Sequence, residues 1–216
     1  MATVQLMLKQ RSLIKPAFLV CDIQERFRSA IYGFPALVQT SKRMIEFARL
    51  LKVPVIATEQ NPRALGSTVE ELDLGKLGDL HAGTFPKTKF SMVIPEVQSK
   101  LQELRTQSVV IFGIESHVCV FQTVLELLEA GYSVHVVADA VSSCNKEEVP
   151  LALASLRQAG AVITTSESLA FQLMGDANSP NFKEFSALVK VEKQHISSSL
   201  RELVGEASGS SPKSSL

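Results

Sequence analysis

The chain has 216 residues, of which 45% are hydrophobic and 20% are charged. These values are typical of a globular protein and exclude disorder over most of the length, and a chain of this size buries roughly 70% of its unfolded surface without disulfide or metal staples. The 22 Lys and Arg residues are balanced by 22 Asp and Glu residues. Because the net charge is zero, the chain has no overall positive potential to attract a polyanion, and nucleic acid is not the expected partner.

Three cysteines, Cys21, Cys119 and Cys144, are far apart, and the sequence contains no C-x-x-C motif. This spacing argues against a disulfide scaffold and a zinc ribbon, and it indicates an intracellular protein, most simply a cytoplasmic one. The histidines are scattered and form no H-x-x-x-H pair, so neither a metal site nor a cofactor is predicted. No apolar run approaches the roughly 20 residues of a membrane helix, and no membrane partner is expected.

The ends of the chain differ in composition from the rest. A single domain is predicted over residues 12–206, followed by a disordered Ser/Gly-rich tail over residues 207–216. The last three residues, Ser-Ser-Leu, resemble a degenerate peroxisomal address, for which a disordered tail is the simpler explanation. The first fifteen residues contain three basic side chains and no acid, but they are too short and Ser-poor for a mitochondrial transit peptide.

From residue 17 onward, short β-rich apolar runs alternate with longer segments of helical period. This alternation predicts an α/β fold, a three-layer α/β/α sandwich whose six-stranded parallel sheet has Rossmann-like strand order. The predicted strands cover residues 17–21, 53–57, 84–87, 108–112, 134–138 and 161–164. The predicted helices cover residues 37–51, 95–105, 118–129, 146–158, 167–173 and 181–191, and residues 59–84 form a long functional loop with a short helix.

Polar side chains that directly follow a strand mark the ligand-binding edge of such a sheet. Asp22 follows the first predicted strand, Lys87 and Lys89 follow the third, and the segment 113–119 follows the fourth. Cys119 falls in the first turn of a helix, where backbone N–H groups favour a thiolate and could hold an oxyanion. Asp22 could accept the thiol proton, and a lysine ammonium could stabilise the thiolate.

Each of these residues also has a purely structural interpretation. Free cysteines are usually buried hydrophobes, and Cys21, inside an apolar run, is predicted to be one. Cys144 competes with Cys119 for the nucleophile role, although its surroundings indicate a turn capped by Asp139. Asp22 could be a helix cap, and the two lysines could be surface charges. His117 precedes Cys119 by two residues, a separation that usually directs side chains apart.

Taken together, three segments resemble the isochorismatase-like cysteine hydrolases. Phe-Leu-Val-Cys-Asp-Ile-Gln at 18–24 is similar to the first-strand motif of that family, Lys-Thr-Lys-Phe-Ser at 87–91 to its K-x-x-(F/Y)-S segment, and Gly-Ile-Glu-Ser-His-Val-Cys-Val at 113–120 to its nucleophile loop. The resemblance covers about residues 15–175. Thr-Glu-Gln-Asn-Pro-Arg-Ala-Leu-Gly at 58–66 most resembles the subgroup of isochorismatase domain-containing proteins.

The resemblance implies a role for each matching residue. It makes Asp22 the general base, Cys119 the nucleophile and Lys87 the third member of the triad, with Lys89 at a variable position. It also implies a non-proline cis peptide bond between Ile114 and Glu115, and an oxyanion hole formed by the backbone N–H groups of Glu115 and Cys119. Candidate pocket residues in the matching segments are Gln24, Phe27, Glu59, Gln60, Phe90 and Ile114.

Departures from the family pattern bear on the substrate. Nicotinamidases of the family carry a D-x-H metal site where this chain has Thr58, Glu59 and Gln60, so a metal-independent hydrolase is expected. Retention of Cys119 favours covalent hydrolysis of a small amide or related C–N bond, whereas Val93 replaces the usual aromatic residue and leaves the substrate unnamed. The alternative is a catalytically weak domain that serves as an interaction or scaffold protein. The family resemblance also implies homo-oligomers. Four apolar helix residues could either form the contact between subunits or cover the edge of the sheet, namely Phe171, Leu173, Phe182 and Phe185.

Overall fold

The computed structural model describes residues 13–205. Six parallel strands form one sheet in the order β3-β2-β1-β4-β5-β6, as the sequence predicts. Because β1 and β4 are neighbours, the sheet reverses its strand order between them, and this is where such folds bind ligands. The strands are β1 (Pro16–Cys21), β2 (Val55–Gln60), β3 (His81–Lys87), β4 (Ser108–Ile114), β5 (Ser133–Ser142) and β6 (Val162–Thr164).

Helices cover both faces of the sheet and complete the predicted three layers. Side chains of β1 alternate between the faces, so Phe18 packs with α1, α6 and α7, and Leu19 packs with α3, α4 and α5. Burial on both faces explains why the strand sequence is continuously apolar. The helices are α1 (Phe34–Leu51), α2 (Pro62–Leu65), α3 (Pro95–Glu103), α4 (Cys119–Glu129), α5 (Glu148–Gln158), α6 (Ser166–Met174) and α7 (Phe182–Ser199).

Residues 61–80, in the predicted functional loop, contain α2 and short 3₁₀ turns at Glu70–Leu72 and Leu74–Leu80. None of the helices in residues 13–205 combines the length and the apolar character needed to cross a bilayer. The predictions for residues 207–216, including the Ser-Ser-Leu end, and for most of the basic amino terminus lie outside the described residues.

The prediction that Asp139 caps a turn is wrong, because β5 continues through it to Ser142. The Asp139 carboxylate is buried inside the sheet layer and accepts hydrogen bonds from Ser166, at 2.7 Å from N and 2.5 Å from Oγ. It also lies 3.5 Å from the guanidinium of Arg43, which reaches Glu192 at 3.4 Å. A polar residue can continue a buried strand when hydrogen-bond partners satisfy it. The predicted strand ended too early, at residue 138, because those partners are distant in sequence.

The aromatic cluster at the carboxyl-terminal helices covers the core. Phe185 is fully buried, and the ring centroids of Phe171 and Phe182 lie 5.0 and 6.2 Å from its own. Leu173 also packs against this core. Of the four predicted contact residues, only Phe171 is exposed, at 47% of its surface. The cluster therefore serves chiefly to hold α6 and α7 on the sheet.

Replacing Arg43 with Met should destabilise the fold by about 3–5 kcal/mol, because the substitution keeps apolar volume but leaves Asp139 as an unpaired buried charge. Urea unfolding would measure the loss. Arg49→Met on the same helix is the matched control, since its exposed pairs with Glu46 and Glu184 are worth less than about 1 kcal/mol. Equal losses in the two variants would contradict the structural role of the buried network.

Candidate active site

Asp22 follows β1 at the carboxyl edge of the sheet and adopts a left-handed backbone conformation, with φ of 51°. Its carboxylate is buried and fully partnered. Thr58 donates a hydrogen bond from Oγ1 to Oδ1 at 2.8 Å, and the Nζ of Lys87 lies 2.7 Å from Oδ2. The sequence predicts that Asp22 and Lys87 lie at the same edge of the sheet. In the structure they do, and they form a direct ion pair.

Lys87 ends the edge strand β3, and its side chain extends past β2 to reach Asp22. Its ammonium also donates to Gln60 Oε1 at 2.7 Å, to the Phe90 carbonyl at 2.8 Å and to the Lys89 carbonyl at 3.2 Å. These acceptors belong to the end of β2 and to the loop after β3. One lysine therefore fixes the geometry of both segments around the carboxylate.

The electrostatic surroundings keep Lys87 charged. Burial by itself lowers the pKa of a lysine, but the neighbouring Cys21, Asp22 and Cys119 groups raise it, and the pKa of Lys87 lies above its ordinary value. At neutral pH the side chain is therefore an ammonium. A fixed positive charge at this position can stabilise a neighbouring thiolate.

Cys119 is the first residue of α4 and is almost buried, with 7% of its surface exposed. The turn before it is closed by the Glu115 carbonyl, which accepts hydrogen bonds from the N–H groups of Val118 and Val120, both at 3.1 Å. Thr123 holds the Cys119 carbonyl from within the helix through a 2.6 Å hydrogen bond. The Cys119 N–H belongs to the first helical turn, whose amides have no acceptor within the helix.

The peptide bond between Ile114 and Glu115 is cis, as the family resemblance implied. It connects the last residue of β4 to the turn that leads to Cys119. Ile114 is fully buried, whereas Glu115 is half-buried and its backbone belongs to that turn. The cis peptide bond therefore lies at the start of the loop between β4 and α4.

Gly113 allows the two central strands to approach closely at the site. Its φ is 124°, and a Cβ built there would lie 2.1 Å from the carbonyl oxygen of Cys21. No other residue fits, because the clash is with backbone and the conformation is one that L-residues avoid. The close contact aligns the end of β1, which carries Asp22, with the end of β4, which leads to Cys119.

Cys21, for which the sequence predicts only a structural role, is a neighbour of the site. It is fully buried, and its Sγ lies 3.7 Å from Asp22 Oδ2. Burial raises the pKa of the Cys21 thiol well above its ordinary value, and the adjacent Cys119 and Asp22 side chains raise it further. Cys21 is therefore a neutral thiol beside the carboxylate. Its position directly before the site aspartate was the one signal in the sequence.

Some candidate pocket residues are occupied by internal hydrogen bonds. Gln24 is fully buried, accepts from the N–H of Gln60 at 2.7 Å and donates to the Gly66 carbonyl at 2.7 Å. Glu59 accepts from the N–H and hydroxyl of Thr68, at 2.7 and 2.9 Å. These side chains position the loop after β2 and leave few polar atoms to a ligand.

The remaining candidate pocket residues differ in exposure. Phe27 is half-buried and packs against the core, whereas Phe90 is 52% exposed on the loop that binds Lys87. Lys89, from the same loop, turns away to pair with Glu126 of α4 at 2.7 Å. Gln60 contacts the Lys87 ammonium. Phe90 and Gln60 are thus the pocket candidates that combine contact with the site and accessible surface.

A family model of the isochorismatase domain matches residues 16–168, which include all three triad candidates. The chain belongs to the isochorismatase family. Isochorismatase domain-containing protein 1 of Danio rerio is 48% identical over 177 residues, which is 81% of this chain and 60% of that protein. The predicted family and subgroup are confirmed, and the chain spans about 60% of the length of this curated relative.

Solved structures share the fold. A Caenorhabditis elegans protein described as MAR1 ribonuclease is 44% identical, with a TM-score of 0.76 over 83% of this chain and 91% of that chain. The Escherichia coli YcaC protein, described as an octameric hydrolase of unknown specificity, is 22% identical, with a TM-score of 0.75 over 88% of this chain and 93% of that chain. At that identity, the second likeness shows the fold alone.

Replacing Lys87 with Met should slow alkylation of Cys119 by iodoacetamide at neutral pH by roughly tenfold, because the ammonium that stabilises the thiolate is removed. Peptide mapping would follow the modified residue. Lys89→Met is the matched control and should label at the original rate, since its ammonium pairs with Glu126. If Lys87→Met labels as fast as the unmodified sequence, Lys87 does not act on the thiol.

Raising the pH above about 8.5, the ordinary cysteine pKa, should lower the free energy of unfolding. The pKa of Cys21 is higher in the fold than in the unfolded chain, so its contribution is complete below that pH and is lost as the pH rises through the folded value. Lys87 adds the same trend only above about pH 10.4. Urea unfolding between pH 7 and 10 would measure the slope.

Cys21→Ala should flatten this pH dependence more than Cys144→Ala does, because the pKa of the exposed Cys144 thiol is raised chiefly by a hydrogen bond to Glu115 and that of Cys21 is raised well above its ordinary value by full burial. Identical slopes for Cys21→Ala and the unmodified sequence would refute the assignment to the buried thiol.

Proposed function

We propose that the protein is a metal-independent cysteine hydrolase that cleaves an amide or related C–N bond of a small molecule through a Cys119 thioester. The observation that carries the proposal is the buried Asp22–Lys87 pair, 2.7 Å between Nζ and Oδ2, at the same sheet edge as a nearly buried cysteine that begins a helix. Asp22 as the base, Lys87 as the cation and Cys119 as the nucleophile would thereby share the carboxyl edge of the sheet.

In the first half of the reaction, Asp22 accepts the thiol proton and the sulfur of Cys119 attacks the substrate carbonyl carbon. The backbone N–H groups of Glu115 and Cys119 stabilise the oxyanion. Collapse of the tetrahedral intermediate breaks the C–N bond, and the departing nitrogen takes the proton from Asp22. The products of this half are an amine and the Cys119 thioester.

In the second half, Asp22 accepts a proton from a water molecule that attacks the thioester carbonyl. The C–S bond breaks, the thiol recovers its proton and a carboxylic acid is released. Lys87 keeps the carboxylate oriented through both halves, and Gln60 and the Phe90 carbonyl keep the ammonium oriented. Cys21, being neutral, contributes packing and a weak hydrogen bond to Asp22 without competing as a nucleophile.

Two further properties are proposed with this function. The balanced charge and the burial of Asp22, Lys87 and Cys119 suit a small, weakly charged substrate. Its proposed entry is near the exposed Phe90, in a protein that works inside the cell and needs no cofactor. Homo-oligomerisation is proposed from the exposed Phe171 on α6, and the Escherichia coli protein that shares the fold is itself described as octameric.

Ribonuclease activity is the second candidate, because the similar Caenorhabditis elegans structure is described as a ribonuclease. Phosphodiester cleavage would need cationic groups for the RNA backbone, and the zero net charge of this chain supplies no overall attraction. Cleavage of a labelled single-stranded RNA, lost in Cys119→Ala and weakened by salt, would favour this candidate over the amidase.

Incubation with a panel of small amides should produce an acyl adduct on Cys119, detectable by intact mass and peptide mapping. Cys119→Ala should lose both the adduct and turnover while retaining its thermal unfolding midpoint, since only one sulfur atom is removed. An adduct located on Cys144, or turnover retained by Cys119→Ala, would contradict the assigned nucleophile. If all three cysteines of the unmodified protein alkylate equally slowly, the scaffold alternative is favoured.

A further inference from the structure

Three potential metal ligands converge beside the loop that carries the proposed oxyanion donor. Within residues 13–205, Glu115, His117 and Cys144 place one carboxylate oxygen, one imidazole nitrogen and one thiol sulfur within 4.8 Å of one another. Glu115 and His117 lie in the turn between β4 and α4, and Cys144 lies just after β5. Their side chains are half-buried or exposed, so an ion could enter from solvent.

Backbone contacts hold the two ligand-bearing loops together. The N–H of Ser116 donates to the Ser142 carbonyl at 2.8 Å, and the N–H of Cys144 donates to Glu115 Oε2 at 2.8 Å. The cluster therefore does not depend on flexible surface side chains meeting by chance. The distance between the loops is set by the end of the β4–β5 ladder.

The imidazole of His117 is oriented by a buried hydroxyl. Its Nδ1 lies 2.9 Å from Ser143 Oγ, which in turn lies 2.5 Å from Ser116 Oγ. Ser116 and Ser143 are both fully buried, so this pair is part of the fold. A hydrogen bond at one ring nitrogen that leaves the other available is the usual arrangement around a metal-binding histidine.

We propose that Glu115, His117 and Cys144 bind Zn²⁺ or a similar thiophilic divalent cation between the β4–α4 turn and the end of β5. A thiolate, an imidazole and a carboxylate suit zinc, whereas calcium and magnesium prefer oxygen ligands alone. Three protein ligands leave a fourth tetrahedral position to water or to another ligand. Binding releases the thiol proton of Cys144 and forms a sulfur–metal bond, with no change of oxidation state.

This site is distinct from residues 58–60, where the nicotinamidases of the family carry their D-x-H motif. The residues there are engaged elsewhere, with Thr58 bonded to Asp22 and Gln60 bonded to Lys87. The proposal also does not depend on the amidase mechanism, since none of the three side chains is used in it. Glu115 contributes only its backbone N–H to that mechanism.

Titration of the purified 216-residue chain with Co²⁺ would test the proposal, because a cobalt–thiolate bond produces a near-ultraviolet charge-transfer band. We expect a saturable band with one Co²⁺ per chain, displaced by Zn²⁺. Cys144→Ser should abolish the band, and His117→Gln should weaken Co²⁺ binding by at least about tenfold. Cys119→Ala and Cys21→Ala are the matched controls and should retain the band.

A band that survives in Cys144→Ser and disappears in Cys119→Ala would overturn the proposal, because the metal would then sit on the proposed nucleophile. The absence of saturable binding would also overturn it. Glu115→Gln should weaken binding as well. If that variant does not fold by circular dichroism, the exposed Cys144 and half-buried His117 variants still decide the outcome.

Discussion

The buried ion pair between Asp22 and Lys87 is the constraint on which the rest of the site depends. Neither charge is stable alone in an interior of low polarity, so each requires the other and a full set of hydrogen-bond partners. Thr58 and Gln60 at the end of β2 supply two of those partners. Side chains at the ends of three neighbouring strands, β1, β2 and β3, therefore contact one another around this ion pair. The loop after β3 contributes the Lys89 and Phe90 carbonyls, which accept hydrogen bonds from Lys87.

Cys119, the proposed nucleophile, lies at the end of the other half of the sheet, where α4 begins after β4. Thr123 connects the halves, because its hydroxyl donates to the Cys119 carbonyl and accepts from the N–H of Met92, which follows the lysine loop. The exposed pair between Lys89 and Glu126 spans the same gap at the surface. Displacements of α4 would thus be transmitted to the loop that binds Lys87. These contacts hold the Lys87 ammonium and the Cys119 thiol in a fixed relative position.

The sequence was sufficient for the parts of the fold that depend on local pattern. Short β-rich runs predicted a strand at each of the six observed positions, although β3 begins at His81 rather than at residue 84. The polar residues that follow these runs supplied Asp22, Lys87 and Cys119 as candidates. It was insufficient wherever a residue's role depends on a distant partner. Asp139 looks like the end of a strand until Arg43 and Ser166 are placed beside it. The cluster around Cys144 likewise requires two loops whose separation only the β4–β5 register defines.

Gly113 has a consequence that extends beyond local geometry. It carries no functional group, and its contribution is the absence of a Cβ, which would lie only 2.1 Å from the Cys21 carbonyl oxygen. Any larger residue would push apart the two strands that lead to Asp22 and Cys119, the proposed base and nucleophile. A mutational scan scored for activity alone would therefore rank position 113 with the reactive residues, and only a parallel measurement of strand spacing would separate an architectural requirement from a chemical one.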